Sequence, residues 1–214
     1  MLIDQLLYPV EVLGPGKRIA LWVVGCNHRC KGCSNPELWK PNGQQPVSPK
    51  ELFFAIAQIV KENQIDGVTI TGGEPFDQEE ELLELVRYLR IITSDILVFS
   101  GYCHEELLAR FNAVAIMEHI AVLVDGPYKA ECNLGLPLRG SSNQRVLLFD
   151  RDLKERYKAY LATPERRIQN FYFGDQAVSV GIHNVGFKVD LDDLLKEMKV
   201  RRATDGESEM AQGS

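Results

Sequence analysis

Apolar positions along this chain fall into alternating strand-like and helix-like segments. Ile19–Val24 is an unbroken apolar run, rich in β-branched and aromatic residues and closed by Gly25, which predicts a buried strand. Ser48-Pro49-Lys50-Glu51 opens a helix: Ser48 caps it, Pro49 takes the first helical position and Glu51 completes a capping box. Leu52, Phe53, Ile56, Ile59 and Val60 then form one helical stripe to about Asn63. Gly67–Thr71 predicts a second strand ending at Gly72-Gly73. Asp77, with Glu80 three residues on, starts a helix through Leu82, Leu83, Leu85, Val86 and Leu89. Further strands are predicted at Asp95–Ser100, Ile120–Asp125, Arg145–Phe149 and Ala177–Ile182. Helices are predicted at His104–Phe111 and Leu191–Val200. Strand and helix in alternation, with short loops, imply parallel strands joined by right-handed crossovers. Sites in such sheets lie just past the strands' C-terminal ends.

Composition narrows the class. With 45% apolar and 25% charged residues, 214 residues are enough for one sizeable buried core. Even an apolar run as long as Ile19–Val24 is far short of the roughly 20 residues that span a bilayer. Asp4 and Glu11 interrupt an N-terminal stretch that has no basic start, so it does not read as a signal peptide. Twenty-four basic against thirty acidic residues leave a charge of −6, which argues against phosphate-backbone binding. No nucleic-acid or membrane partner is expected. Five cysteines without a secretion signal point to a reducing, cytoplasmic setting, with thiols kept for chemistry or metal. Residues 200–214 carry almost no large apolar side chains and read as a frayed, disordered tail.

The sharpest feature is Cys26-Asn27-His28-Arg29-Cys30-Lys31-Gly32-Cys33, a C-x3-C-x2-C loop directly after the first predicted strand. Eight extended residues reach at most about 29 Å, so a curled loop can bring all three sulfurs to one small object. A structural zinc site wants a fourth ligand, for which His28, Cys103 and Cys132 are the available residues. A 4Fe–4S cluster on three thiolates is the other reading, and it leaves one iron open. Spacing favours the cluster. His28 itself reads as a surface loop residue, and Trp22 and Trp39 read as core.

This loop resembles the cluster-binding signature of the radical S-adenosylmethionine enzymes. Thr71-Gly72-Gly73-Glu74-Pro75 resembles the segment that in this family contacts the methionine amino group. Glycines there permit a close backbone approach, and Glu74 can accept charge-assisted bonds from an ammonium. Further motifs are Gly14-Pro15-Gly16-Lys17-Arg18, Ser34-Asn35-Pro36-Glu37-Leu38-Trp39, Leu123-Val124-Asp125-Gly126-Pro127-Tyr128 and Leu138-Arg139-Gly140-Ser141-Ser142-Asn143-Gln144-Arg145. In this order they are similar to the glycyl-radical activases of anaerobic ribonucleotide reductase, over about Gly14 to Arg145.

The resemblance implies a partial (β/α)6 barrel of parallel strands, with a radical S-adenosylmethionine domain over residues 1–199 in which 146–199 is a C-terminal extension. It implies a 4Fe–4S cluster on Cys26, Cys30 and Cys33. S-adenosylmethionine would be held by Gly72, Gly73, Glu74, Pro75, Ser100 and Asp125. The implied activity is that of an oxidoreductase that cleaves S-adenosylmethionine with one electron and makes a glycyl radical on a partner. That partner would be anaerobic ribonucleotide reductase, with a flavodoxin or ferredoxin as reductant. The Asn-Gln segment reads equally as a polar loop over the nucleoside, a docking surface or a solvated turn. Cys103 and Cys132 read as spare thiols. Two other functions stay in view: a radical enzyme acting on another peptide or small molecule, and a non-catalytic zinc module.

Overall fold

The computed structural model describes residues 1–163, 166–173 and 176–183. Met1–Ile182 form one unit and His183–Ser214 another; the predicted helix at 191–200 and the tail at 200–214 lie outside the described residues. Six strands make the central sheet in sequence order: β1 (Ile3–Val10), β2 (Arg18–Val23), β3 (Gly67–Gly72), β4 (Ile96–Phe99), β5 (Val122–Asp125) and β6 (Arg145–Leu148). β2 through β5 are mutually parallel, while β1 and β6 run antiparallel at the two edges.

The expected all-parallel arrangement therefore holds only for the four middle strands. Connection length explains the reversal at β1, because a parallel crossover needs a dozen or more residues, usually including a helix, and residues 11–17 are too few to return past β2. Residues 126–144 are numerous enough but hold only the 3-10 turn Ala130–Cys132 and no crossover helix. β1 has no clear sequence signature, since Asp4, Gln5 and Pro9 break its alternation and no strict two-residue burial pattern replaces it.

Alternation along β2 divides the core. Ile19, Leu21 and Val23 face the layer of α1 (Pro49–Glu62), α2 (Glu79–Leu89) and α4 (Ala113–Met117), where Leu52, Ile56, Leu82, Leu85 and Ile116 are buried with them. Each such Leu or Ile contributes roughly 1.5–3 kcal/mol relative to exposure. Ala20, Trp22 and Val24 face the opposite side. There they pack in a cluster with Leu7, Val10, Leu13 and Val180. Val180 belongs to the hairpin of β7 (Ile168–Phe173) and β8 (Gln176–Gly181). Further along that face, Leu97, Val122 and Val124 meet Tyr157 of α5 (Lys154–Leu161). No helix among the described residues is long and apolar enough to cross a membrane.

Helix starts follow their capping chemistry. Ser48 and Glu51 form the reciprocal capping box that opens α1. The next helix begins two residues later than its sequence suggests. Pro75–Gln78 is a 3-10 turn in which the Glu74 carboxylate accepts from Phe76 N, so α2 starts at Glu79. The short α3 (His104–Leu107) stops before Phe111, which is 95% exposed.

At the strands' N-terminal end the Gly14–Arg18 turn delivers a wholly buried arginine. Arg18 donates to Thr69 Oγ1, to the carbonyls of Val68 and Asp95, and to the Asp95 carboxylate at 3.0 Å. A buried guanidinium is tolerable only with such complete pairing. This end of the sheet serves stability.

Candidate functional site

The β2–β3 register sets Val23 beside Gly72, so the segments after both strands leave the sheet side by side. After β2, Gly25 N donates to Leu38 O at 2.8 Å and Cys26 N to Trp39 O at 3.1 Å, which closes the cysteine loop onto the 3-10 turn Pro36–Trp39. Leu38 fills the core there and Trp39 is only half-buried, whereas Trp22 is buried as its sequence position suggests.

Cys26, Cys30 and Cys33 are free, half-buried thiols. Asn35 N lies 3.4 Å from Cys33 Sγ. Burial pushes the Cys26 and Cys30 thiols up, and the neighbouring Cys33 raises both further. Among the described residues, no three His, Cys, Asp or Glu side chains are drawn together around the position of a single ion.

The Gly72–Pro75 segment is locked against the cysteine loop. Gly73 N donates to Val23 O at 2.8 Å and Glu74 N to Gly25 O at 2.7 Å. A Cβ on Gly73 would collide with the Gly25 carbonyl, so the chain's own backbone demands glycine here. Pro75 and Phe76 are buried behind it. Glu74 is 1% exposed, and its carboxylate accepts from Phe76 N at 3.0 Å, Ser100 Oγ at 2.9 Å and Gly101 N at 2.7 Å. These bonds tie the ends of β3 and β4 together through one side chain.

His28 faces the same carboxylate. Its Nε2 stands 3.5 Å from Glu74 Oε2, an ion-pair separation longer than a formed hydrogen bond. The imidazole packs edge-on to Tyr102, with centroids 4.4 Å apart. Glu74 raises the His28 pKa against the opposing effect of burial. The structure thus corrects the surface reading of His28.

Around it lies a cluster the sequence did not advertise. Tyr102 donates to Asp77 Oδ1 at 2.8 Å, Asn27 Nδ2 donates to Asp77 Oδ2 at 3.1 Å, and the Arg110 guanidinium sits 4.6 Å from the Tyr102 ring centroid. Burial, followed by the Asp77 carboxylate, pushes the Tyr102 phenol up to about 12. The available signal was positional: Tyr102 follows a strand end, and Asp77 lies three residues beyond Glu74.

Asp125 at the end of β5 is buried. It accepts from His104 N at 2.7 Å and from Arg145 Nε, and it pairs with Arg145 Nη2. Arg145 also reaches Glu105 at 2.7 Å. Gln144 accepts from Gly140 and Ser141 N–H and donates to Gly126 O, while Asn143 donates to Pro127 O. The Asn-Gln segment is therefore bound to the loop after β5. Cys103 stands as the first residue before α3, its thiol pushed up by burial. Cys132 lies in the β5–β6 connection, where its carbonyl accepts from Ser142 N.

Against known proteins, residues 12–147 match the family described as the 4Fe–4S single cluster domain. An anaerobic ribonucleoside-triphosphate reductase-activating protein of Enterobacteria phage T4 is 33% identical over 146 residues, which cover 65% of this chain and 90% of that protein. A protein of the same name from Escherichia coli strain K12 is 36% identical over 147 residues, covering 65% and 94%. One from Vibrio cholerae is 33% identical over 150 residues, covering 66% and 95%.

Proposed function

The chain belongs to the 4Fe–4S single cluster domain family, and from that premise, together with its likeness to activating proteins of anaerobic ribonucleoside-triphosphate reductase, we propose that it is a radical S-adenosylmethionine activase of that reductase. Cys26, Cys30 and Cys33 would hold the cluster. The donor set fits this role, since one loop carries three free, half-buried thiols, and Asn35 N lies within reach of the Cys33 sulfur. Bound there, the cluster and S-adenosylmethionine supply one-electron cleavage of a sulfonium and removal of a Cα hydrogen from a partner glycine, leaving a glycyl radical.

The chain's own residues bind and orient. Gly72, Gly73, Glu74 and Pro75 form the wall beside the cysteine loop, and Ser100 and Asp125 continue it at the ends of β4 and β5. Glu74 is the carboxylate suited to an ammonium, and Ser100 Oγ and Gly101 N hold it in one position. In this reading β2–β5 are the parallel core of a partial barrel that admits a polypeptide, and residues 1–199 make up the domain. A flavodoxin or ferredoxin would supply the electron.

The observation that carries the proposal is the pair of backbone bonds from Gly73 and Glu74 onto Val23 and Gly25, which join the two motif segments at the loop end of the sheet. Anaerobic reconstitution with iron and sulfide should give about four irons per chain. Co-expression with the reductase should then give a glycyl-radical EPR signal that requires S-adenosylmethionine. Zinc retained in place of iron would overturn the proposal.

One observation favours a second reading, a radical enzyme acting on another peptide or small molecule. The relatives match about 65% of this chain, and α5 and the β7–β8 hairpin cover a sheet face from outside residues 12–147. Isotope transfer from a labelled reductase glycine into 5′-deoxyadenosine separates the two.

A further inference from the structure

The β5–β6 connection folds back on itself beside the cysteine loop. Lys129 N donates to the buried Ser141 Oγ at 3.1 Å, and Ser142 N donates to Cys132 O at 2.8 Å. Between these bonds stands the half-buried ring of Tyr128, with a glycine at each edge. A Cβ on Gly140 would lie 3.0 Å from Tyr128 Cδ2, and one on Gly32 would lie 3.6 Å from Tyr128 Cε1 and 3.4 Å from Ala130 Cβ. Gly32 belongs to the cysteine loop. It is third in the turn that Cys33 N closes onto Cys30 O at 3.1 Å, and its φ of 76° is the left-handed backbone that glycine supplies there. The bare side of that turn is what the Tyr128 ring meets.

The ring is also tethered from the C-terminal extension. Tyr128 Oη accepts from Asn133 Nδ2 at 3.1 Å, and Asn133 Oδ1 accepts from Arg166 Nη2 at 2.7 Å. Arg166 stands two residues before β7, outside the family-matched residues 12–147. A chain of contacts thus runs from the start of the β7–β8 hairpin to the turn that carries Cys30 and Cys33.

We infer that Tyr128 is a positioning residue for the Cys30–Cys33 turn: steadied by Asn133 and Arg166, its ring buttresses the turn at Gly32 and so slows the loss of a cluster held by those thiols. The effect on the cluster rests on the function proposed above, whereas the buttress stands on the chain's own contacts. A turn closed by one hydrogen bond opens readily unless packing opposes it. Each opening would carry two of the three proposed ligands out of place. This role needs no bond from Tyr128 to a sulfur.

The test compares wild type, Tyr128→Ala, Tyr128→Phe and Arg166→Met. Amide hydrogen exchange is followed at residues 30–33 and along β2 and β3 in the iron-free chain, and iron transfer to a chelator is followed without air in the reconstituted protein. In Tyr128→Ala, exchange at residues 30–33 should rise about tenfold, the factor that about 1.4 kcal/mol of lost ring packing gives, with β2 and β3 unchanged. Iron transfer should quicken with it. Tyr128→Phe and Arg166→Met keep the ring and lose only its tether, so each should show a smaller rise, and the double variant no more than the larger of the two. Wild-type exchange at residues 30–33 in Tyr128→Ala overturns the inference, as does a rise shared equally by β2 and β3. If Tyr128→Ala does not fold, the tether variants decide, and wild-type exchange in both overturns it. Faster exchange with iron transfer at the wild-type rate overturns the effect on the cluster. A wild type that takes up no iron overturns the cluster reading, and exchange in the iron-free chain still decides the buttress.

Discussion

Tyr157 donates its hydroxyl to Asp95 Oδ1 at 2.6 Å, so a helix outside the family-matched residues completes the buried Arg18–Asp95 pair. Burial, with Asp95 adding to it, drives the phenol above its ordinary range and keeps it a donor. α5 is therefore part of the domain's foundation. Tyr157→Phe should remove one bond to a charged group, worth about 1.5–3 kcal/mol. Urea unfolding should show a lower midpoint with unchanged slope, and iron uptake per folded chain should stay at the wild-type level.

Breaking the pair itself should cost more. Arg18→Met leaves the Asp95 carboxylate buried and 1% exposed without its main cation, and such losses run to about 3–5 kcal/mol. Thermal unfolding would show it. Arg18→Met combined with Asp95→Leu should recover part of the loss, because no charge then stays unpaired.

Cys30→Ala should abolish cluster retention, measured as iron and labile sulfide per chain, while the circular dichroism of the folded chain stays unchanged. Cys103→Ala should retain the full iron content. A Cys30→Ala protein that still held about four irons would contradict the ligand assignment.

Gly73→Ala should act through backbone collision, because the added Cβ meets the Gly25 carbonyl that receives Glu74 N. The expected outcome is a lower melting temperature together with loss of cluster uptake, since the displaced carbonyl begins the cysteine loop. A variant with normal stability and normal iron content would refute this coupling.

Acid should uncouple Glu105 from Arg145. The guanidinium lowers the Glu105 carboxyl from 4.5 to about 2, so the folded state holds its proton less tightly than the unfolded chain. The pair's contribution is fully present above pH 4.5 and is lost as pH falls toward about 2. Melting temperatures of wild type and Glu105→Gln should therefore differ at neutral pH and converge over that window.

The sequence by itself determined the four parallel strands, the helix from Ser48, the cysteine loop after the first of those strands and the Gly72–Pro75 segment after the next. Each is written in contiguous residues: apolar runs, a capping box, or donors spaced within one loop. The edge strands were less legible, because the direction of β1 depends on what a short connection can reach and that of β6 on a connection without a crossover helix. Only the tertiary structure decided that Arg18 is buried against Asp95 and Asp95 against Tyr157, that Glu74 bridges the ends of β3 and β4, and that His28 packs edge-on to Tyr102. Those partners lie 26 to 77 residues apart along the chain. Such distances carry no local pattern; the register of neighbouring strands aligns their ends, and the packing of α5 on the sheet brings Tyr157 to Asp95.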